Sequence, residues 1–125
     1  ALENVAMPAL IMGKSLAQVR DRVMGLLAQV GIEDRAESKP TQLSGGEQQR
    51  VAVARALINS PKVVLADEPS GNLDTENANQ LHEILWNLSR QYDQTFVVVT
   101  HNESLAKSAD RIVRIQDGVI QSTNA

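Results

Sequence analysis

Residues 62–69 read KVVLADEP, and the fold turns on this stretch. Val63, Val64, Leu65 and Ala66 form a short apolar run rich in β-branched residues, of the kind buried on both faces of a parallel sheet. The run delivers Asp67 and Glu68 to its C-terminal end, and Pro69 stops a central strand from continuing. Open α/β sheets bind ligands just beyond the carboxyl ends of their strands. Successive strand residues point to opposite sides, so the two carboxylates need not share one task. One can face a phosphate-bound Mg²⁺, which takes oxygen ligands and keeps several waters, while the other reaches an attacking water. A solvated acidic pair or a helix cap is the plainer alternative. The apolar strand ahead and the proline behind favour the functional reading.

Downstream, Ser70-Gly71-Asn72-Leu73-Asp74 reads as a turn ending in a helix cap. Ala78, Leu81, Leu85 and Leu88 then mark an amphipathic helix with Asp74 as N-cap. His82 lies mid-helix beside polar neighbours and is expected to be solvated. Trp86, the single tryptophan, is expected to face the core or a partner. The run TFVVVTH is a second buried strand that brings His101 to the same sheet edge as Asp67 and Glu68. A lone histidine is more often structural; this shared edge makes His101 a site candidate. A short helix near Glu103–Lys107 follows, and RIVRIQDGVIQ alternates around Asp117-Gly118, a strong hairpin signal.

Upstream, residues 43–50 read LSGGEQQR. Ser44 followed by Glu47 is a capping box that opens a helix running from about Gly45 to Asn59, ahead of Pro61. A cap explains Ser44 and Glu47 but not Gly45 and Gly46, which lower helix propensity. What the glycines offer is bare amides at a helix start carrying roughly +0.5 of an elementary charge, a ready anion site. Before this, Leu16, Val19, Val23, Leu26, Leu27 and Val30 fall at helical spacing, with Gly31 just past the end. Leu2–Ile11 is apolar and helical in pattern, with Pro8 expected to break or kink it. EDRAESKPTQ is read as a charged connector. An all-helical first third thus precedes an α/β remainder with at least two parallel strands.

With 125 residues, the chain has room for one modest domain. Its core must be aliphatic, because the sequence is 42% hydrophobic but 2% aromatic. A net charge of −3 disfavours a surface that coats nucleic acid. The absence of cysteine removes disulfides, thiolate zinc sites and thiol catalysis. No apolar run approaches the ~18–20 residues of a membrane helix, and no secretory leader is visible. Gly13-Lys14-Ser15 spells the end of a P-loop, yet the glycine required five residues earlier is Pro8. Ser15 with Gln18 is instead another capping box, at the start of the second helix.

Taken in order, these motifs resemble the nucleotide-binding domain of ABC transporters. Leu43-Ser44-Gly45-Gly46-Glu47-Gln48 is similar to that family's signature motif, and Val63–Asp67 to its Walker B strand. Glu68 resembles the catalytic glutamate, Ser70–Asp74 the D-loop and His101 the switch histidine. The resemblance implies a P-loop NTPase-like α/β fold: residues 1–45 a helical subdomain ending at the signature, and residues 46–125 the C-terminal part of the ATP-binding core. It implies a head-to-tail pair of such subunits with ATP between the P-loop of one and the signature of the other. Ser44, Gly45 and Gly46, with Glu47 and Gln48 beside them, would hold the γ-phosphate bound to the partner. Asp67 would orient Mg²⁺ through water, Glu68 would polarise the attacking water, His101 would sense the γ-phosphate, and Asp74 would couple the two sites. Integral membrane transporter subunits are the implied further partners, at the cytoplasmic face of a bacterial inner membrane, with no nucleic acid involved.

LADEPSGNLD resembles the branch that serves lipoprotein release, macrolide or peptide export, or cell division. ALENVAMPALI is most similar to the lipoprotein-releasing ATPases of Gram-negative bacteria. The family's P-loop, Gln-containing loop and adenine-stacking aromatic lie upstream of the signature region. The chain is therefore expected to be part of a longer ATPase and not to turn over ATP alone. Two rivals are a DNA-repair or chromosome-organising ABC ATPase, disfavoured by the uninterrupted route into the signature, and a non-catalytic interaction module. Ser44, Glu68 and His101 are all chemically competent, which argues against the module.

Overall fold

The computed structural model describes residues 1–124. Helix α1 spans Leu2–Ile11 and α2 spans Leu16–Gln29. Pro8 lies inside α1 without ending it, because Val5, Ala6 and Ala9 are buried and hold the helix by packing. The Ser15 side chain accepts from the Gln18 amide and the Gln18 side chain returns to Ser15, so the lysine-serine pair opens α2 rather than a phosphate loop. Gly31 takes a left-handed φ of +76° just past that helix. The charged connector is more ordered than its composition suggests, with 3₁₀ turns at Glu33–Arg35 and Pro40–Gln42.

Helix α3 (Gly45–Leu57) joins the helical third to the sheet. Its C-terminal carbonyls are met by Arg22 of α2: Nε donates to the Ile58 oxygen at 2.9 Å and Nη2 to the Leu57 oxygen at 2.8 Å. A guanidinium at a helix C-terminus satisfies orphan carbonyls and opposes the dipole. One aliphatic core runs through Val5 and Ala6 of α1, Val23 and Leu27 of α2, and Val51 and Ala54 of α3. It continues to Val64 and Leu88, beyond the helical third.

Strands β1 (Val63–Asp67) and β2 (Thr95–Val99) pair in parallel, with Val64 opposite Phe96 and Leu65 opposite Val97. Between them α4 (Thr75–Gln91) makes the crossover, its Asp74 cap accepting from the Asn77 amide at 2.8 Å. Burial on both faces, expected from the apolar runs, is not what the sheet has. Val64 is buried, whereas Leu65 is 78% and Val99 61% exposed. The core and α4 lie against the face of Val64 and Phe96, and no described residue buries Leu65 or Val99 on the other. Helix α5 (Glu103–Lys107) follows β2. Strands β3 (Ile112–Gln116) and β4 (Val119–Asn124) form a separate antiparallel hairpin. Asp117 and Gly118 have φ of 50° and 75°, as a type I′ turn requires.

Leu27→Ala, which empties a fully buried position, is expected to cost about 2–5 kcal/mol of unfolding free energy. Leu65→Ala on the open face is expected to stay within about 0.5 kcal/mol. Urea midpoints of the two variants of this chain check the contrast.

Candidate functional site

Glu68 follows the last residue of β1 and has a left-handed backbone, with φ of 46°. Its amide still donates to the Val99 carbonyl at 2.7 Å, extending the β1–β2 ladder by one bond. Its own carbonyl accepts from the Gly71 amide at 3.0 Å, which closes the turn. A Cβ on Gly71 would stand 3.3 Å from that carbonyl oxygen, so glycine permits the close return. A glutamate in this conformation costs of order 1–3 kcal/mol and persists only where its surroundings enforce it.

The kink aims the Glu68 carboxylate at the residues that follow β2. Oε1 accepts from the His101 amide at 2.8 Å and lies 2.5 Å from His101 Nδ1, and the Thr100 hydroxyl donates to Oε2 at 3.2 Å. An ionised carboxylate has about four acceptor sites, and three donors occupy this one. Partial desolvation pushes the carboxyl upward, but the His101 amide and imidazole and the Thr100 hydroxyl outweigh it and hold Glu68 below the ordinary glutamate range. With Nδ1 turned to Glu68, His101 presents Nε2 to solvent from a side chain that is 92% exposed. Asp67 is exposed at the end of β1, so the expected gathering of Asp67, Glu68 and His101 at one sheet edge is present.

The other cluster is the start of α3. Ser44 Oγ accepts from the Glu47 amide at 3.1 Å, and Glu47 Oε2 accepts from the Ser44 amide at 3.0 Å. The Gln48 amide bonds the Ser44 carbonyl, so the capping box leaves the first two helical amides, Gly45 and Gly46, without an intrahelical partner. The Ser44 hydroxyl accepts in the box and keeps its proton free to donate outward. Glu47 Oε1 also pairs with Arg35 at 3.5 Å, and Gln48 Nε2 donates to the Pro40 and Leu43 carbonyls. These two side chains shape the approach to Ser44. Asp74 acts as the cap of α4. No hydrogen bond joins Ser44, Gly45 or Gly46 to Glu68 or His101 among the described residues. Segment 69–77 connects the clusters, and Gln49 of α3 donates to the Pro69 carbonyl.

Spacing did not reveal several of these contacts. Nothing in the sequence pattern marks Thr100 or Gln49. His82 is half-buried rather than fully solvated: its Nε2 lies 2.8 Å from the Ser70 hydroxyl, and partial burial pushes its imidazole below the usual histidine range. The cause is that α4 folds back across the Glu68 turn. Trp86 is half-buried, with the Arg90 guanidinium 4.4 Å from its ring centre.

The ABC transporter family model matches residues 2–71, more than half of the chain. The chain belongs to the ABC transporter family. It is 57% identical over 121 residues to the lipoprotein-releasing system ATP-binding protein LolD of Bacteroides thetaiotaomicron, covering 97% of the chain and 56% of that protein. It is 51% identical over 122 residues to LolD of Porphyromonas gingivalis, covering 98% of the chain and 56% of the relative. The dimeric ATP-binding cassette MJ0796 bound to ADP and Pi superposes with a TM-score of 0.81 at 38% identity, covering 98% of this chain and 55% of that one. The chain thus spans about half the length of the relatives it matches.

In this ABC chain the two signature glycines meet different neighbours. A Cβ on Gly45 would sit 3.8 Å from Leu73, an ordinary contact, while one on Gly46 would sit 2.5 Å from Asn77 Oδ1 and 3.0 Å from its Cγ. Gly46→Ala forces the Asn77 side chain aside and is expected to destabilise by about 1 kcal/mol at most, with Asn77→Ala restoring the loss. Gly45→Ala should leave the melting temperature nearly unchanged; an equal drop for both would refute this packing account. The Glu68 network makes a second prediction. Because its carboxyl is lowered in the folded state, its stabilisation is present above the ordinary glutamate range and lost as pH falls through the lowered value. Wild type should exceed Glu68→Gln in urea midpoint at about pH 7, and the margin should shrink as pH falls through the lowered value of the carboxyl.

Proposed function

We propose that this chain is part of the ATP-binding subunit of an ABC transporter that drives lipoprotein release. The observation that carries the reading is the Glu68–His101 pair at the carboxyl edge of a parallel sheet, its acid tied to the imidazole at 2.5 Å. The similarity to LolD proteins supports the lipoprotein branch. The family's head-to-tail arrangement supports a second ATP-binding subunit as partner, with integral membrane subunits docked on the helical residues 1–45. Residues 46–125 then serve as the C-terminal part of the ATP-binding core. No helix among the described residues is long and apolar enough to cross a membrane, and a peripheral site on the cytoplasmic face of the inner membrane fits such a subunit.

The residues present suit Mg²⁺·ATP. Two uncapped amides and a hydroxyl with a free proton match phosphate oxygens, and a lone exposed carboxylate suits an ion that keeps its waters. No cluster of three His, Asp or Glu among the described residues could hold a metal unaided, so the nucleotide must contribute oxygens. Bound Mg²⁺·ATP supplies the γ-phosphoryl group and the charge neutralisation that its transfer to water needs. Ser44, Gly45 and Gly46 hold the γ-phosphate bound by the partner subunit, with Glu47 and Gln48 fixing their approach. Asp67 would help hold the ion, whose remaining ligands would be waters and nucleotide oxygens. Glu68, ionised at neutral pH with one acceptor site open, polarises the attacking water. His101 offers Nε2 to the γ-phosphate, linking its presence to Glu68 through Nδ1. Asp74 lies where the turn after Glu68 enters α4, placed to relay movement between the two sites.

This chain has no Gly-x-x-x-x-Gly-Lys-Ser/Thr segment, so alone it binds nucleotide weakly and does not turn it over. In the full-length protein, Glu68→Gln is expected to lower ATP hydrolysis by ~10²–10⁴-fold while leaving an ATP-bound dimer visible by size-exclusion chromatography. Unchanged turnover in that variant, or steady-state hydrolysis by the 125-residue chain that Glu68→Gln abolishes, would overturn the reading.

A further inference from the structure

We propose that His82 is a positioning residue for Glu68 and His101, acting through the Ser70 hydroxyl. The proposal rests on the reading above that Glu68 and His101 form the hydrolytic pair. Ser70 is the buried polar side chain among the described residues, 8% exposed. Its hydroxyl lies 2.8 Å from His82 Nε2. Ser70 sits inside the turn that the Gly71 amide closes onto the Glu68 carbonyl, and its own carbonyl accepts from the Leu73 amide at 3.1 Å. Movement of Ser70 is therefore movement of the peptides that set the Glu68 kink.

His82 is held firmly enough to serve. It lies in the middle of α4 between Leu81 and Leu85, which are 1% and 6% exposed. Its imidazole lines one cleft of about 440 Å³ together with Glu68, Ser70 and His101. Among the described residues, the peptides of the turn after Glu68 have one other side-chain hold from outside, Gln49 on the Pro69 carbonyl. Gln49 fixes the turn to α3 and His82 fixes it to α4. Removing the imidazole leaves the Ser70 hydroxyl without this partner, and the turn relieves it by shifting Ser70 toward the water of the cleft. Such a shift carries the Glu68 carboxylate off His101 and Thr100, and a displacement near 1 Å is enough to slow a positioned reaction strongly.

The test uses the full-length protein with His82→Phe, His82→Gln and Ser70→Ala. Glutamine is the conservative variant because its amide nitrogen reaches about as far as Nε2. Phenylalanine keeps the bulk and loses the bond. His82→Phe and Ser70→Ala are each expected to lower kcat by about tenfold with KM for ATP within about twofold. His82→Gln should restore most of kcat, and the Phe/Ala double variant should be no slower than either single one. Imidazole NMR signals, with those of His101 assigned by their loss in a His101→Gln variant, give a readout independent of turnover. Ser70→Ala and His82→Phe should both shift the His101 signals, and His82→Gln should return them. His101 signals unmoved in both variants, or kcat in His82→Phe equal to wild type, overturns the proposal. If wild type fails to hydrolyse ATP, the ATPase reading falls by itself, and the His101 signals still decide whether His82 positions the pair.

Discussion

The left-handed kink at Glu68 is the constraint on which the site depends. It lets one residue complete the β1–β2 ladder through its amide, close the following turn through its carbonyl, and turn its carboxylate toward Thr100 and His101. A glutamate that simply continued β1 would alternate to a sheet face and could not meet the backbone beyond β2. The strain is contained by groups on three sides: the Val99 carbonyl, the Gly71 amide and the donors of residues 100 and 101. The acid is thereby held ionised and fixed.

Helix α3 carries that geometry to the other half of the site. Its N-terminus presents Gly45 and Gly46, its second turn reaches Pro69 through Gln49, and its C-terminus is bound by Arg22. The close fit of Gly46 against Asn77 gives the second signature glycine a packing role beside any phosphate role. The same residue can serve both because a bare Cα suits close approach by a side chain and by an anion alike.

The sheet is apolar on a face that nothing described covers. Val63, Leu65, Val97 and Val99 are all at least half open or nearly so, whereas parallel sheets are ordinarily covered on both faces. A chain spanning about half the length of its relatives, with an uncovered sheet face, fits a part whose remaining layers lie in further sequence. The hydrophobic runs were legible as sheet interior because composition records the environment a strand was selected for. Their exposure was not legible, since it depends on which other layers are present.

Local chemistry was readable wherever a few neighbouring residues decide the outcome. Capping boxes at Ser15 and Ser44, the Asp74 cap, the short helix at 103–107 and the Asp117-Gly118 turn all follow from bonds spanning four residues or fewer. The same locality placed Glu68 and His101 at the ends of parallel strands and so at one edge. Three-dimensional folding alone decided the positive φ at Glu68, the Thr100 hydroxyl beneath its carboxylate, the Asn77 side chain against Gly46 and the bond from His82 to Ser70. Each of these joins elements whose mutual orientation is set by the shared aliphatic core. No period or spacing in a sequence encodes that orientation, because it results from the packing of many side chains at once.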